Sequence, residues 1–228
     1  MVERIKPEEL YARIERRIAR VDQSIGEDIG HDVEMLYTML QSSRDEARTD
    51  PLTGLANYRG LSETLERELA KAKRHSTPLV LGFIDFDRLK FYNDTYGHEQ
   101  ANHAIKTVAA SMRDALRDED ILARYGGDEF CLVLTDTELE RAKNVLERVQ
   151  ENVKSLSIDA IVDGLPNDDY KVVTVSIGYT AIKDGESPTE IIDRADKAMK
   201  IAKDHRGSGK IHLLEDIRTD PSITNPSG

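Results

Sequence analysis

The order of strand-type and helix-type segments after residue 77 limits this chain to few folds. Short apolar or alternating runs indicate strands, and longer runs with apolar residues every three or four positions indicate helices. The order is strand, helix, strand, strand, helix, strand: Pro78–Asp85, His98–Leu116, Ile121–Tyr125, Glu129–Thr135, Glu138–Leu156 and Tyr170–Ile182. This order is typical of the ferredoxin-like βαββαβ arrangement. We therefore expect an α+β domain whose antiparallel sheet carries helices on one face.

Further elements extend this core on both sides. A helix is predicted at about Tyr58–His75, and a helix at Pro188–His205 precedes a last short strand at Lys210–Leu214. Residues 157–170 are polar and predict a loop or a hairpin insertion. We expect the domain to span residues 49–215, followed by a flexible tail at 216–228 that is rich in Pro, Ser, Thr and Asn.

Residues 1–48 predict a separate helical stalk. Its apolar residues recur at helical spacing: Ile14, Ile18, Val21, Ile25, Ile29, Val33, Leu36 and Leu40. The spacing averages about 3.7 residues, so any supercoil is expected to be nearly straight or weakly right-handed. Gly26 and Gly30 weaken a continuous helix, which leaves one long helix or a hairpin bent near Ser24–Gly26. The stripe either packs on its own domain or dimerises as a coiled coil, and we favour the dimerising stalk.

Charge and composition exclude several classes of partner. Lys plus Arg total 32 and Asp plus Glu total 43, which gives a net charge of −11. This balance argues against nucleic acid or an anionic membrane surface as a partner. No apolar run approaches the roughly 20 residues of a membrane span, and Met1 is not followed by a secretory signal. With a single Cys, the composition suits a reducing compartment, and we expect a cytoplasmic protein.

Acidic residues occur where two predicted elements come close together. Asp85 and Asp87 end the first strand, and Asp128 and Glu129 lie at the turn between the two middle strands. In a ferredoxin-like sheet these places are adjacent, so three or four carboxylates would converge. Converging carboxylates need a cation to stay ionised. Oxygen ligands without His or Cys favour Mg²⁺ or Mn²⁺.

Residues near these acids are suited to bind an anion. Gly126 and Gly127 would let the backbone approach a bulky anion closely. Lys90 lies within reach of a phosphate, and Asn93 and His98 follow on the connecting loop and at the start of the next helix. A helix N-terminus there would add affinity for the anion.

The sequence resembles a known family in five ordered motifs. Arg124-Tyr125-Gly126-Gly127-Asp128-Glu129-Phe130 is similar to the signature loop of the GGDEF-domain family, the diguanylate cyclases of bacterial signalling. The other four motifs are Asp50-Pro51-Leu52-Thr53-Gly54-Leu55-Ala56-Asn57; Asp85-Phe86-Asp87 with Lys90, Asn93, Asp94, Gly97 and His98; Val175-Ser176-Ile177-Gly178; and Ala195-Asp196 with Ala202-Lys203. Together they cover about residues 48–214.

The resemblance implies a reaction. Members of the family condense two GTP molecules into cyclic di-GMP and release two pyrophosphates. Two protomers form a homodimer, and each 3′-hydroxyl attacks the α-phosphate of the nucleotide in the other protomer. Asp85, Asp128 and the carbonyl of Phe86 would hold two Mg²⁺ or Mn²⁺ ions in each half-site. Asp128 or Glu129 would deprotonate or position the 3′-hydroxyl.

The resemblance also implies which residues hold the nucleotide. Lys90 and Lys203 would bind phosphates, and Gly126 and Gly127 would admit the nucleotide. Asn93 would read the guanine and His98 would support the pocket.

A second ligand site is implied before the signature loop. Arg117-Asp118-Glu119-Asp120 stands where many members carry an inhibitory Arg-x-x-Asp site for cyclic di-GMP. Arg117 would donate to a guanine edge or a phosphate, and Asp120 would accept from guanine. Arg148 stands where a second arginine often contributes.

Two positions depart from the family pattern and leave alternatives open. Asn102 stands where the family has an Asp, which accepts hydrogen bonds from two donors of guanine. The amide of an Asn can also hydrogen-bond to adenine. In the closing helix the usual arginine is displaced by one position, so Arg206 or Lys210 would take its place. The alternatives to a diguanylate cyclase are a cyclase that accepts ATP to make cyclic GMP–AMP, an inactive nucleotide-binding signalling domain, or a coiled-coil scaffold.

Overall fold

The computed structural model describes residues 12–14, 16, 31–39, 48–156, 173–204 and 209–213. The chain divides into two compact units, Met1–Arg48 and Thr49–Gly228. In the first unit residues 31–39 are helical, and Leu36 and Met39 are 59% and 61% exposed. The other stripe positions Ile18, Val21, Ile25, Ile29 and Leu40, the 157–170 segment and the 216–228 tail lie outside the described residues. Within the described part of the chain, no helix is both long and apolar enough to cross a membrane.

The second unit contains four helices and five strands in its described residues. Their bounds are α1 Tyr58–His75, β1 Leu79–Phe86, α2 Leu89–Asp114, β2 Ile121–Gly126, β3 Glu129–Thr135, α3 Leu139–Lys154, β4 Val175–Ala181, α4 Pro188–Asp204 and β5 Ile211–Leu213.

These strands form one sheet in the order β2-β3-β1-β4-β5. The pairs β2–β3, β3–β1 and β1–β4 are antiparallel, which confirms the predicted ferredoxin-like arrangement. The pair β4–β5 is parallel, so the sheet is mixed rather than wholly antiparallel. The reason is that α4 joins these two strands as a crossover, and a crossover returns the chain in the same direction.

Helices cover both faces of the sheet: α2 and α3 of the predicted βαββαβ core lie on one face, as expected, and α1 and α4 cover the other. Every residue of β1 is buried, and successive side chains of a strand point to opposite faces. Val80, Ile84 and Phe86 pack in a core with residues of α2 and α3. Leu79, Leu81 and Phe83 pack in a second core with residues of α1 and α4. A strand that is apolar on both sides needs cover on both sides.

Gly97 divides α2 into two helical pieces. Its backbone is non-helical, with φ 82° and ψ 168°, a conformation that favours glycine. A second helical piece therefore begins at His98, where the sequence predicts it. Lys90 and Asn93 lie in the first helical piece and not on a loop, because buried Leu89 and Tyr92 anchor this piece against the core.

Helix α4 lies directly against the sheet at Gly178 of β4. A Cβ atom at this glycine would come 1.9 Å from the backbone nitrogen of Met199 and 2.4 Å from the carbonyl oxygen of Ala195. Only glycine permits this approach. The last turn of α4, which carries Lys203, is thereby held close to the ends of the central strands.

Candidate active site

The end of β1 and the turn between β2 and β3 meet at one edge of the sheet. Asp85 is opposite Glu129 in the β1–β3 register. The backbone N–H of Phe86 donates to the carbonyl oxygen of Asp128 at 2.9 Å. The antiparallel pairing thus brings together two acidic motifs that are distant in sequence.

Asp85 is a buried carboxylate with an incomplete set of hydrogen bonds. It is 5% exposed, and Lys203 Nζ lies 2.5 Å from its Oδ1. The ammonium is the charge partner of this oxygen, and no other donor of the described residues bonds to Oδ1. Burial raises the pKa of Asp85 to about 6; Lys203 opposes the rise, whereas the charges of Asp128 and Asp87 add to it.

Glu129 belongs to the same acidic edge. Burial raises the pKa of its carboxyl group, and the charges of Asp128 and Asp196 add to the rise. Lys200 and Lys203 act in the opposite direction. We call Asp85, Asp128, Glu129 and Lys203 the acidic edge from here on.

Asp87 faces away from the acidic edge. Its carboxylate accepts hydrogen bonds from the hydroxyls of Thr174 and Ser176, both at 2.7 Å, and from the backbone N–H of Gly209 at 2.8 Å. Its own N–H donates to the carbonyl oxygen of Thr174 at 3.1 Å. We call these four residues the Asp87 anchor. Because β1 ends at Phe86, Asp87 does not continue the alternation that would place it beside Asp85.

The expected carboxylates lie close enough together for their charges to interact: Asp128 and Asp87 act on Asp85, and Asp128 acts on Glu129. Among the described residues, no three His, Cys, Asp or Glu side chains lie close enough together to hold a metal ion. The groups at the acidic edge that could ligate a metal are oxygens, and the buried Oδ1 of Asp85 has only the ammonium of Lys203 as a partner. This chemistry fits a hard divalent cation such as Mg²⁺ or Mn²⁺, with remaining ligands supplied by nucleotide phosphates or water.

Arg124 fixes the shape of the turn that carries Asp128. Its guanidinium binds both oxygens of Asp50, at 3.2 and 3.1 Å, and donates to the carbonyl oxygen of Gly127 at 3.1 and 2.7 Å. Burial alone would raise the pKa of Asp50, but hydrogen bonds from Thr53 and the contact with Arg124 outweigh it, and the pKa is lowered. Neither Asp50 nor Arg124 has a role predicted from the sequence, although both stand in the motifs quoted above.

The nucleotide-binding candidates lie around this turn and along α2. In the tautomer that carries its proton on Nδ1, His98 donates to Asn93 Oδ1 at 2.9 Å. Lys90 and Asn102 are exposed on α2. Gly126 and Gly127 are exposed, and a Cβ atom on either would meet no atom within 4 Å. Arg206 lies outside the described residues.

A groove of about 460 Å³ runs beside the glycine turn. Its lining includes Asp50, Arg124, Gly126 and Gly127, together with Tyr58 and Arg59 of α1.

The candidate product site forms a tight turn before β2. The Asp120 carboxylate accepts from the backbone N–H of Arg117 at 3.2 Å, and Asp120 is 5% exposed. The Arg117 side chain is exposed, and Arg148 Nε donates to the carbonyl oxygen of Ala115 at 2.9 Å. Both arginines therefore lie beside the C-terminal end of α2. Arg113, which has no role predicted from the sequence, donates to the carbonyls of Arg117 and Asp120 and stabilises the turn.

Most of this chain matches a known protein family. The family model described as "Diguanylate cyclase, GGDEF domain" matches residues 47–208. The chain belongs to the GGDEF domain family. The matched range includes the acidic edge, the glycine turn and the Arg117–Asp120 turn.

Curated relatives support this membership. The chain is 33% identical over 196 residues to the diguanylate cyclase DgcP of Pseudomonas aeruginosa, covering 86% of this chain and 28% of that protein. It is 36% identical over 186 residues to the probable diguanylate cyclase DgcT of Escherichia coli, covering 80% and 39%. The chain thus spans less than half the length of these relatives.

Solved GGDEF structures share the fold. The coiled coil and GGDEF domain of DgcB from Caulobacter crescentus, in complex with c-di-GMP, matches with a TM-score of 0.73 and 28% identity over 84% of this chain and 98% of that chain. The diguanylate cyclase SiaD of Pseudomonas aeruginosa, in complex with its activator SiaC, matches with a TM-score of 0.68 and 32% identity over 90% and 76%.

Proposed function

We propose that this GGDEF chain is a diguanylate cyclase that condenses two GTP molecules into cyclic di-GMP and two pyrophosphates. The observation that carries the proposal is the acidic edge, where the buried carboxylate of Asp85, paired with Lys203, lies beside the signature turn. Since GTP is a cytoplasmic nucleotide, the proposed function places the catalytic domain in the cytoplasm.

The acidic edge supplies the groups that the reaction needs. Asp85, Asp128 and the carbonyl of Phe86 would hold Mg²⁺ or Mn²⁺, two ions in each half-site. Such ions neutralise charge on the entering and leaving oxygens of an in-line displacement at phosphorus. Lys90 and Lys203 would bind the phosphates and orient the α-phosphate.

Glu129 is the better candidate to accept the proton of the attacking 3′-hydroxyl. Its raised pKa makes it a stronger base than an ordinary carboxylate. The 3′-oxygen then forms the bond to the α-phosphorus, and pyrophosphate leaves with the electron pair of the broken bond. Asp128, as a metal ligand, would position the hydroxyl instead.

The proposed enzyme acts as a homodimer, because each half-site holds one of the two nucleotides. The exposed apolar side chains of Met35, Leu36 and Met39 in the helical residues 31–39 support a role of residues 1–48 in dimerisation. An exposed apolar surface of this kind is stabilised when a second chain covers it.

We propose that guanine is preferred over adenine through Asn93. With its oxygen bonded to His98, the amide of Asn93 presents its NH₂ group, which suits the O6 acceptor of guanine better than the N6 donor of adenine. Asn102 lacks the negative acceptor that would reject adenine, so selectivity depends on Asn93.

We expect Asn102→Asp to raise the GTP preference by about tenfold, since one such contact contributes about 1–3 kcal/mol. The measurement is the ratio of kcat/KM for GTP and ATP in the two proteins. An unchanged ratio would show that Asn102 does not read the base.

The Arg117–Asp120 turn is the proposed site for feedback by cyclic di-GMP, with Arg148 as a second donor. Arg117→Ala is expected to weaken product binding by about 1–3 kcal/mol, because a forked donor is lost. Product inhibition that is noncompetitive with GTP in the parent chain, and weakened in the variant, is the expected result. Purely competitive inhibition in the parent would refute this site.

One incubation tests the function itself. The full chain is incubated with GTP, with ATP and with both, in the presence of Mg²⁺, and the products are separated and identified. Cyclic di-GMP from GTP alone is expected. A mixed cyclic GMP–AMP product would favour the cyclase that accepts ATP, and the absence of any cyclic dinucleotide would favour an inactive domain.

A further inference from the structure

Lys203 occupies the position where a cation would contact Asp85. Its ammonium nitrogen lies 2.5 Å from Asp85 Oδ1, a distance within the range of a metal–oxygen contact for larger hard cations. A divalent ion that contacts the same oxygen would lie close to the ammonium and be repelled by it. The lysine that the family resemblance assigns to phosphate therefore lies on the carboxylate proposed to hold the metal.

The two partners differ in freedom to move. Asp85 is fixed on β1, which is paired with β3 on one side and β4 on the other, and its side chain is 7% exposed. The Lys203 side chain is 38% exposed and extends from the last turn of α4. The lysine has room to leave, whereas the carboxylate does not.

The same helix provides a comparison. One turn earlier, Lys200 forms an ion pair with Asp196 at 2.5 Å, with side-chain exposures of 66% and 23%. That pair connects positions i and i+4 of one helix on the surface. The Lys203–Asp85 pair instead connects α4 to the buried end of a central strand.

We propose that Lys203 is an exchangeable internal cation that holds Asp85 before metal is loaded and leaves it when a divalent ion binds. This inference rests on the proposed function, because it assigns Asp85 to the metal. Replacing one countercation by another keeps the buried carboxylate neutralised throughout. Repulsion between the ammonium and the incoming ion drives the lysine away.

The exchange would couple metal loading to nucleotide binding. A metal ion that binds without a nucleotide must displace the ammonium of Lys203, which then has no new partner. Metal that arrives with a nucleotide brings phosphate oxygens, which accept the released ammonium. The chain would thus bind free metal weakly and metal–nucleotide well, and Lys203 would act as a positioning residue for both.

The test measures Mn²⁺ binding to the nucleotide-free full chain at pH 8, by electron paramagnetic resonance of free Mn²⁺. Lys203→Met is expected to bind Mn²⁺ about tenfold more tightly than the unaltered chain, because the competing charge is gone. Lys200→Met removes the same charge from the same helix and is expected to leave the affinity within about twofold. Equal or weaker binding by Lys203→Met would overturn the proposal, as would an equal gain in both variants.

A second measurement does not depend on the stability of the variant. In the unaltered chain with ¹³Cε-labelled lysines, saturating Mg²⁺ is expected to shift the Lys203 signal and leave the Lys200 signal in place. An unshifted Lys203 signal would refute the exchange. Product formation from GTP is measured on the same preparation. If no product forms, the proposed function fails. If product forms but the Lys203 signal is unshifted and the Mn²⁺ affinities are equal, only the exchange is refuted.

Discussion

Asp85 of the acidic edge and Asp87 of the Asp87 anchor are two residues apart on the chain, but their carboxylates have different electrostatic surroundings. At the acidic edge, Asp85 is buried, its Oδ1 has only the ammonium of Lys203 as a partner, and its pKa is raised. In the anchor, Asp87 is equally buried, at 6% exposure, but three donors satisfy its carboxylate. The difference separates an acid that is available to a ligand from an acid that holds the fold together.

The Asp87 anchor also holds the acidic edge in place. The anchor ties the end of β1 to the beginning of β4 and to Gly209, which precedes β5. Because its hydrogen bonds are complete, it fixes the backbone at Phe86 and Asp85. The position of Asp85 thus depends on a neighbour whose carboxylate is fully hydrogen-bonded.

The largest effect is expected at the acidic edge, on activity. Asp128→Ala should lower the cyclase rate by about a thousandfold or more, because a ligand for a charge-neutralising ion is lost. Its urea unfolding should remain close to that of the unaltered chain, since Asp128 lies on a turn. Glu151→Ala, on the exposed side of α3, is the control and should retain activity. Normal turnover by Asp128→Ala would contradict the assignment of this edge.

At the Asp87 anchor we expect the main effect to be a loss of stability. Asp87→Ala leaves two hydroxyls and one backbone N–H without their acceptor, which should lower the free energy of unfolding by about 3–5 kcal/mol. As a control, Asp184→Ala removes an exposed ion pair with Lys73 and should change the free energy of unfolding by less than about 1 kcal/mol. Urea denaturation of both variants checks this, and similar stabilities in the two would show that the anchor contributes little.

Asp85→Asn should instead stabilise the metal-free chain. The pKa of Asp85 in the folded state, about 6, lies above the ordinary value of 3.8. The folded state therefore holds the proton more tightly, and the stability from this group falls as pH rises from about 4 to above 6. At pH 8 the amide should add about 2–3 kcal/mol to the free energy of unfolding, and the gain should vanish near pH 4.

Urea unfolding with EDTA at pH 8, 6 and 4.5 measures this gain. The variant should also lose cyclase activity, so stability and activity would move in opposite directions at one residue. A variant that is less stable than the parent at pH 8 would show that the ion pair with Lys203 outweighs the cost of burial.

Much of the architecture could be predicted because it follows from local patterns. The apolar run of β1 and the periodicity of α3 each indicate their element within a few residues. The βαββαβ order then predicts that Asp85 and Asp128 meet. The parallel pairing of β5 was missed, since it depends on the crossover through α4.

The sequence alone determined the order of elements, the ferredoxin-like arrangement and the acidic motifs, because periodicity and turn residues act over short stretches of chain. Only the tertiary structure decided which acid is available, since Asp85 and Asp87 have nearly the same neighbours in sequence. Their environments diverge because β1 ends at Phe86, which turns Asp87 toward Thr174 and Ser176 and leaves Asp85 facing Lys203. Contacts between distant segments such as these depend on packing, for which the local spacing of residues carries no signal.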